Sequence, residues 1–206
     1  ADDVVAGIIE DNDGYLWLGT QKGLARFDAD KKQFRNFEKR HGLNDNLFNR
    51  NSPVKLDSGG LFFGNSKGFV LFNPAAITTN QYQPPVVLTN LLILNKPVTI
   101  GGEGSPLTQA LAHTKTINLT HKDSVITFEF AALNYQMSEE NQYAYRLRGF
   151  DSDWIYVGNK RTATYTNLAP GTYVFEVKAS NNDGVWSDKH AQLTLRIQPP
   201  AWRTWW

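Results

Sequence analysis

Residues 167–187 read NLAPGTYVFEVKASNNDGVWS, and this stretch decides the fold. Leu168, Pro170 and Gly171 make a tight turn. Tyr173, Phe175, Val177 and Ala179 then recur at period two, which places all four on one face of a strand, and four such side chains require burial. The cluster Asn181, Asn182, Asp183 and Gly184 tolerates left-handed backbone and ends the strand. Val185 and Trp186 follow as apolar anchors for a next strand. The reading is a β-hairpin at the heart of a small β-sandwich.

Working outward, further strand-like runs lie N-terminal to this hairpin: VVLTNLLIL, TINL, SVITFEF, YAYRL, WIYV and TATYT, with QLTLRIQ following it. Several alternate cleanly, with Ile126, Phe128 and Phe130 on one face, then Tyr143, Tyr145 and Leu147, then Leu193, Leu195 and Ile197. About seven short alternating strands with frequent turns predict an immunoglobulin or fibronectin III-like sandwich. Only SPLTQALA suggests a helix, a short one, with Ser105 as cap and Pro106 in the first turn.

Before residue 80 the pattern differs. DNDGYLWLGTQKGLARFD and LDSGGLFFGNSKGFVLFN align at a constant offset of 45 residues, as between Gly14 and Gly59. The match pairs Leu16 with Leu61, Trp17 with Phe62, Gly19 with Gly64, Lys22 with Lys67, Gly23 with Gly68 and Phe27 with Phe72. A period of roughly 40 to 50 residues, with short strands between glycine turns, describes propeller blades. Repeat arrays need about three units or more for stability, so two blades imply a longer propeller whose open edges another chain or domain covers. Between the two regions, NPAAITTNQYQPPV carries Pro74, Pro84 and Pro85 and reads as an extended linker. The expected organisation is two blades over residues 1–80, a sandwich over 81–198 and a Trp-rich tail over 199–206.

The blade pattern, through residues 5 to 77, resembles the two-component regulator propeller repeat, with Phe62 replacing Trp and Asn65 replacing Thr in the second copy. The segments EFAALNY (129–135), YAYRLRGFDSDW (143–154), TYTNLAPGTY (164–173) and NNDGVWS (181–187) resemble the Y_Y_Y domain. The Leu-x-Pro-Gly-Thr turn is also similar to that of fibronectin type III domains, with Tyr173 one residue earlier than usual. The resemblance implies a place between a propeller and a transmembrane helix in the periplasmic part of an inner-membrane sensor histidine kinase. It implies self-association through the sandwich, contact with the missing blades, and often an oligosaccharide ligand. Pro199, Pro200, Trp202, Trp205 and Trp206 resemble the segment that precedes the membrane helix, with Ala201 replacing one Trp; an apolar tail packed on the sandwich is the alternative.

Composition narrows the functional classes. Lys and Arg (21) nearly balance Asp and Glu (20), so no global field draws in nucleic acid. The chain has no Cys, which removes disulfides, thiolate catalysis and sulfur-ligated zinc while leaving the redox compartment open. The N-terminal residues lack the character of a secretory signal, and no stretch approaches the ~20 apolar residues of a membrane span. Gly64-Asn65-Ser66-Lys67-Gly68 satisfies G-x-S-x-G, but its place in the repeat predicts a strand-to-strand turn and not a nucleophile elbow. His41, His113, His121 and His190 are scattered without metal-ligand spacing. Asp11 to Gly14, Asp151 to Asp153 and Asn182 to Gly184 read as turns and not calcium loops.

The most suggestive loop is GLNDNLFNRNS, Gly42 to Ser52. Asn44, Asn46, Phe48, Asn49 and Arg50 combine amides, a cation and an aromatic ring, a set suited to a sugar or other polar ligand, while the same residues also suit folding of an inter-blade loop. No catalytic set, metal or cofactor is expected. The sequence thus describes a sensor fragment that relays ligand binding, with a carbohydrate-binding or adhesion module of an extracellular protein as the alternative.

Overall fold

A computed structural model of the chain describes residues 4–200. It forms two compact units, residues 1–79 and 80–206.

In the first unit, β1 (Val5–Glu10), β2 (Leu16–Thr20), β3 (Gly23–Asp28) and β4 (Gln33–Phe37) make an antiparallel four-stranded sheet in chain order. A three-stranded sheet follows, from β5 (Val54–Lys55), β6 (Leu61–Asn65) and β7 (Gly68–Phe72). The two copies share backbone geometry: φ is +83° at Gly14 and +84° at Gly59, then +120° at Gly23 and +126° at Gly68. At Gly23 a Cβ would lie 2.1 Å from the Phe37 carbonyl oxygen, so both conformation and space demand glycine.

Trp17, Leu24, Phe48, Leu61 and Phe63 form the core of this unit. The Trp17 ring lies 5.4 Å from Phe37 and 4.8 Å from Phe72, and its Nε1 donates to Asp11 Oδ2 at 2.8 Å. Sequence alignment pairs Trp17 with Phe62, yet Trp17 is buried while Phe62 is half-buried and stacks on the exposed Phe69. Stacked repeats explain the difference. One face of each sheet meets the preceding copy and the other the following copy, so the face that meets a partner in sheet one is open in sheet two.

The second unit is a sandwich. Its strands are β8 (Val86–Ile93), β9 (Lys96–Pro97), β10 (Thr116–Thr120), β11 (Val125–Ala132), β12 (Gln142–Arg148), β13 (Ile155–Gly158), β14 (Thr162–Thr166), β15 (Gly171–Ser180) and β16 (Ala191–Gln198). One sheet runs β10-β16-β15-β12-β13, the other β14-β11-β8-β9. The β10–β16 pairing is parallel. Tyr173, Phe175, Val177 and Ala179 are all buried on the inner face of β15. Phe175 stacks 4.2 Å from Phe128 of the opposing sheet.

Three tyrosine hydroxyls are anchored as buried phenols require. Tyr143 Oη accepts from Ala132 N at 3.1 Å, Tyr165 Oη donates to Asp151 Oδ2 at 2.6 Å, and Tyr173 Oη donates to the Ala169 carbonyl at 3.0 Å. The last bond is a tyrosine corner, reached despite the shifted spacing. Burial, the Asp151 hydrogen bond and nearby negative charge push the Tyr165 phenol far above its ordinary range.

Two expectations change. Ser105 to Ala112 is not an α-helix; only a 3-10 turn forms, Leu111–His113. The Ser105 hydroxyl accepts from Leu107 N at 3.1 Å, and the Leu107 carbonyl accepts from Gly101 N at 2.8 Å, bonds that divert the backbone from a helical ladder. Val185 and Trp186 do not begin the next strand either. Trp186 makes an isolated bridge to Ser180, and β16 starts only at Ala191. The Trp-rich tail expectation, resting on residues 201–206, lies outside the described residues.

Candidate functional site

The loop of residues 42–52 lies against the turns of both propeller-type sheets. Phe48 is buried, edge-on to Phe63 at 5.9 Å, and its N–H donates to the Thr20 carbonyl at 3.1 Å. Asn44 Nδ2 donates to the Phe69 carbonyl at 3.2 Å, and its Oδ1 accepts from Asn65 Nδ2 at 2.5 Å. Asn46 Oδ1 accepts from Lys39 N at 2.9 Å, while its carbonyl accepts from Gly23 N at 2.8 Å. Asn49 Nδ2 donates to the Asn65 carbonyl at 3.3 Å. The structure therefore joins the three amides to the turn backbones and sends Phe48 into the core. Arg50 stays at the exposed surface, with Asn44, Leu47 and Asn49.

Asp45, which sequence reasoning missed, is the buried charge of this loop. It accepts hydrogen bonds from the Ser66 hydroxyl and from Asn46 N, and pairs with Lys39 Nζ at 3.1 Å. The Ser66 hydrogen bond, then that of Lys39, lowers its pKa from 3.8 to about 2. The signal was available in the repeat: Ser66 stands where the first copy has Gln21, a departure that supplies a partner for Asp45. Ser66 thus sits in the β6–β7 hairpin turn, hydrogen-bonded to a carboxylate. Because this pKa is depressed in the folded chain, the associated stability is full above pH ~4 and falls away toward pH ~2. Asp45→Asn should flatten that acid limb of the unfolding midpoint, measured by thermal melts from pH 2 to 5. An unchanged limb would show that other carboxylates control it.

A second polar cluster covers the outer face of the five-stranded sheet. Glu176 is almost fully buried there. Arg146 Nε lies 2.6 Å from Glu176 Oε2, while Arg148 Nε (3.1 Å) and Gln192 Nε2 (3.1 Å) reach Oε1. The Arg146 guanidinium stands 4.6 Å over Trp154, and Lys178 Nζ lies 4.5 Å from Trp154, 5.3 Å from Tyr156 and 5.4 Å from Trp186. Each of these cations already faces a ring or carboxylate, so the arrangement locks β12, β13 and β15 together. The register Arg146↔Glu176 and Ala144↔Lys178 underlies it, and outward-facing alternation in YRLR and FEVK was its sequence trace. Among the described residues no three His, Asp or Glu side chains converge as a metal site, and no helix is long and apolar enough to cross a membrane.

Two propeller-type sheets followed by an immunoglobulin-like sandwich define an all-β module in which aromatic cores, not reactive groups, dominate. Residues 1–22 match the two component regulator propeller family and residues 134–198 the Y_Y_Y domain family. The order of the two matches is that of a Y_Y_Y domain preceded by two-component regulator propeller sequence. It is 36% identical over 202 residues to Histidine kinase P4 of Formosa agariphila, covering 98% of this chain and 15% of that protein. It is similar in structure to an extracellular domain described as part of a hybrid two component system of B. thetaiotaomicron, with a TM-score of 0.73, 25% identity, and coverage of 95% of this chain and 26% of that one. A second such domain from the same organism superposes with a TM-score of 0.52 at 24% identity, covering 98% of this chain and 26% of that one. The chain thus spans a small part of each relative.

The matched Y_Y_Y residues contain β12 to β16 but not β8 and β11. Those two strands carry Leu88, Leu91, Phe128 and Phe130, the opposing layer of the core. The family segment is accordingly only part of the folding unit.

Proposed function

We propose that this chain is the membrane-proximal part of a bacterial two-component sensor's periplasmic region. A ligand bound by the whole propeller changes its arrangement, and the sandwich passes that change toward a transmembrane helix and a cytoplasmic kinase of an inner-membrane receptor. The observation that carries the reading is that nearly the whole chain, blades and sandwich together, aligns with a protein named as a histidine kinase. Its likeness to an extracellular two component domain supports the same reading.

The sandwich suits a relay because its outer face is cross-linked by the Glu176 and Trp154 cluster and its core by stacked rings, so a displacement of one strand moves its neighbours. In the receptor, two sandwiches pair, and their reorientation changes the separation or rotation of the helices that follow. A ligand achieves this only by binding one arrangement better than the other. The missing blades cover the open face of the second sheet, where Val54, Phe69 and Leu71 are about half exposed, at 51%, 56% and 53%. Arg50, with the exposed edges of Asn44 and Asn49, contributes to an oligosaccharide site completed by those blades, while Asn46 and Phe48 hold the loop in place.

The reading is tested by the reading frame beyond Trp206 and by the parent protein. A membrane span followed by a kinase dimerisation helix, with autophosphorylation in membranes, is expected. A stop codon, or a glycan-cleaving catalytic domain in place of the span, would overturn the reading in favour of an extracellular carbohydrate-binding module. Direct titration of the complete propeller with a panel of oligosaccharides then addresses the ligand.

A further inference from the structure

The chain leaves the propeller unit at Thr79 and enters the sandwich unit at Asn80. This lead-in, residues 80–83, has no regular secondary structure, yet its backbone is tied to one place, the β15–β16 connection. Asn181, the residue immediately after β15, is completely buried. Its Nδ2 donates to the Asn80 carbonyl at 2.6 Å and to the Tyr82 carbonyl at 2.8 Å. Its Oδ1 accepts from Asp183 N at 2.9 Å and from Val185 N at 3.0 Å. Both donors of the amide face the lead-in and both acceptor sites face the turn.

The surroundings repeat this arrangement. Asp183 Oδ2 accepts from Asn80 N at 2.6 Å, and Asp188 Oδ2 accepts from Gln83 Nε2 at 3.2 Å. The same connection carries Trp186, whose ring meets Tyr156 at 5.3 Å and joins the outer-face cluster. Of the nitrogen and oxygen side chains of comparable size, only an uncharged amide supplies two donors on one side and an acceptor on the other. Asp at this position would set oxygen against two carbonyls, and Ser has a single donor.

We infer that Asn181 is the clasp of the relay: the positioning residue through which movement of the lead-in reaches β15 and β16. This rests on the sensor reading above. The clasp couples the lead-in backbone to the β15–β16 connection, while Tyr82 Oη, donating to the Leu133 carbonyl at 3.2 Å, holds the same lead-in to the β11–β12 connection.

The test uses Asn181→Asp in the 206-residue chain and in the complete receptor. In the chain, backbone amide exchange of Asn80 and Tyr82, whose own N–H groups donate to Asp183 Oδ2 and Asn80 Oδ1, should quicken about tenfold or more as the lead-in loosens on losing the two Asn181 bonds to its carbonyls. Asp183 and Val185 should stay protected because the acceptor oxygen is kept, and Phe175 and Leu195 should not change. Unchanged exchange at residues 80–82 overturns the inference, as does uniform loss of protection throughout the sandwich in a second variant, Gln83→Ala with Asp183→Ala, which keeps the Asn181 amide and removes bonds flanking it. In the receptor, either variant should change basal autophosphorylation several-fold at equal protein level. A loosened lead-in with unaltered phosphorylation overturns the clasp and leaves the sensor reading standing. A wild-type parent without kinase output overturns the sensor reading, and the clasp with it.

Discussion

Replacing Phe175 by Ala is expected to destabilise the sandwich by about 3–5 kcal/mol, a large share of the ~5–15 kcal/mol that holds a domain of ordinary size. Phe175 is fully buried at the centre of β15. Its ring stacks 4.2 Å from Phe128 and lies within 6.3 Å of Phe130, Tyr145 and Tyr165, so truncation leaves a void bordered by rings from both sheets. Ring stacks are stiff, and the cavity collapses poorly, which places the cost toward the upper end. Urea unfolding followed by near-ultraviolet circular dichroism measures it. A loss under 1 kcal/mol would mean that the two sheets do not close on Phe175. Trp186→Ala should cost much less, because Trp186 is only half-buried and its ring lies on the outer face beside Lys178 and Tyr156.

Most of the sandwich was legible because its strands bury one face each. The run Tyr173, Phe175, Val177, Ala179 needed no more than period two, and TINL and TATYT emerged as strands from the same alternation. What escaped is what depends on the opposite face. Glu176 alternates with the inward-facing Phe175 and Val177 and so falls on the outward face of β15, and its burial arises only when Arg146, Arg148 and Gln192 converge from two neighbouring strands. Ser105 to Ala112 shows the reverse error. Its local pattern favours a helix, but eight residues gain too little from helical bonding in water to outweigh the competing local bonds of Ser105 and Leu107 with residues 99–107. At the loop of residues 42–52 the sequence showed the amides and not their occupation, because hydrogen bonds to Phe69 and Asn65 span more than ten residues. Asp45 escaped for a related reason: its partner Ser66 lies 21 residues away, and only the departure from Gln21 to Ser66 within the repeat marks it.

Trp17→Ala should be the most damaging single change in the propeller unit, at about 3–5 kcal/mol, and Trp17→Phe should cost about 1.5–3 kcal/mol. The difference separates two roles of one side chain. The indole ring fills the layer between the sheets against Phe37 and Phe72, and phenylalanine retains much of that packing. Its Nε1, however, is the donor to Asp11 Oδ2 at 2.8 Å, while the other carboxylate oxygen accepts from Asp13 N and Tyr15 N. Phenylalanine removes a charge-assisted bond to a buried carboxylate that also shapes the β1–β2 turn. Two sheets share one interface here, since the face bearing Phe69 and Leu71 is open, so no second core compensates for a defect in the first. Amide exchange at Leu24 and Phe63, on the two sides of that interface, reports the loss directly. Equal effects of the two substitutions would assign the stability to the Asp11 bond and not to the ring. Protection lost in β15 as strongly as in β2 would show that the two units unfold as one, and the cost would then belong to the whole chain.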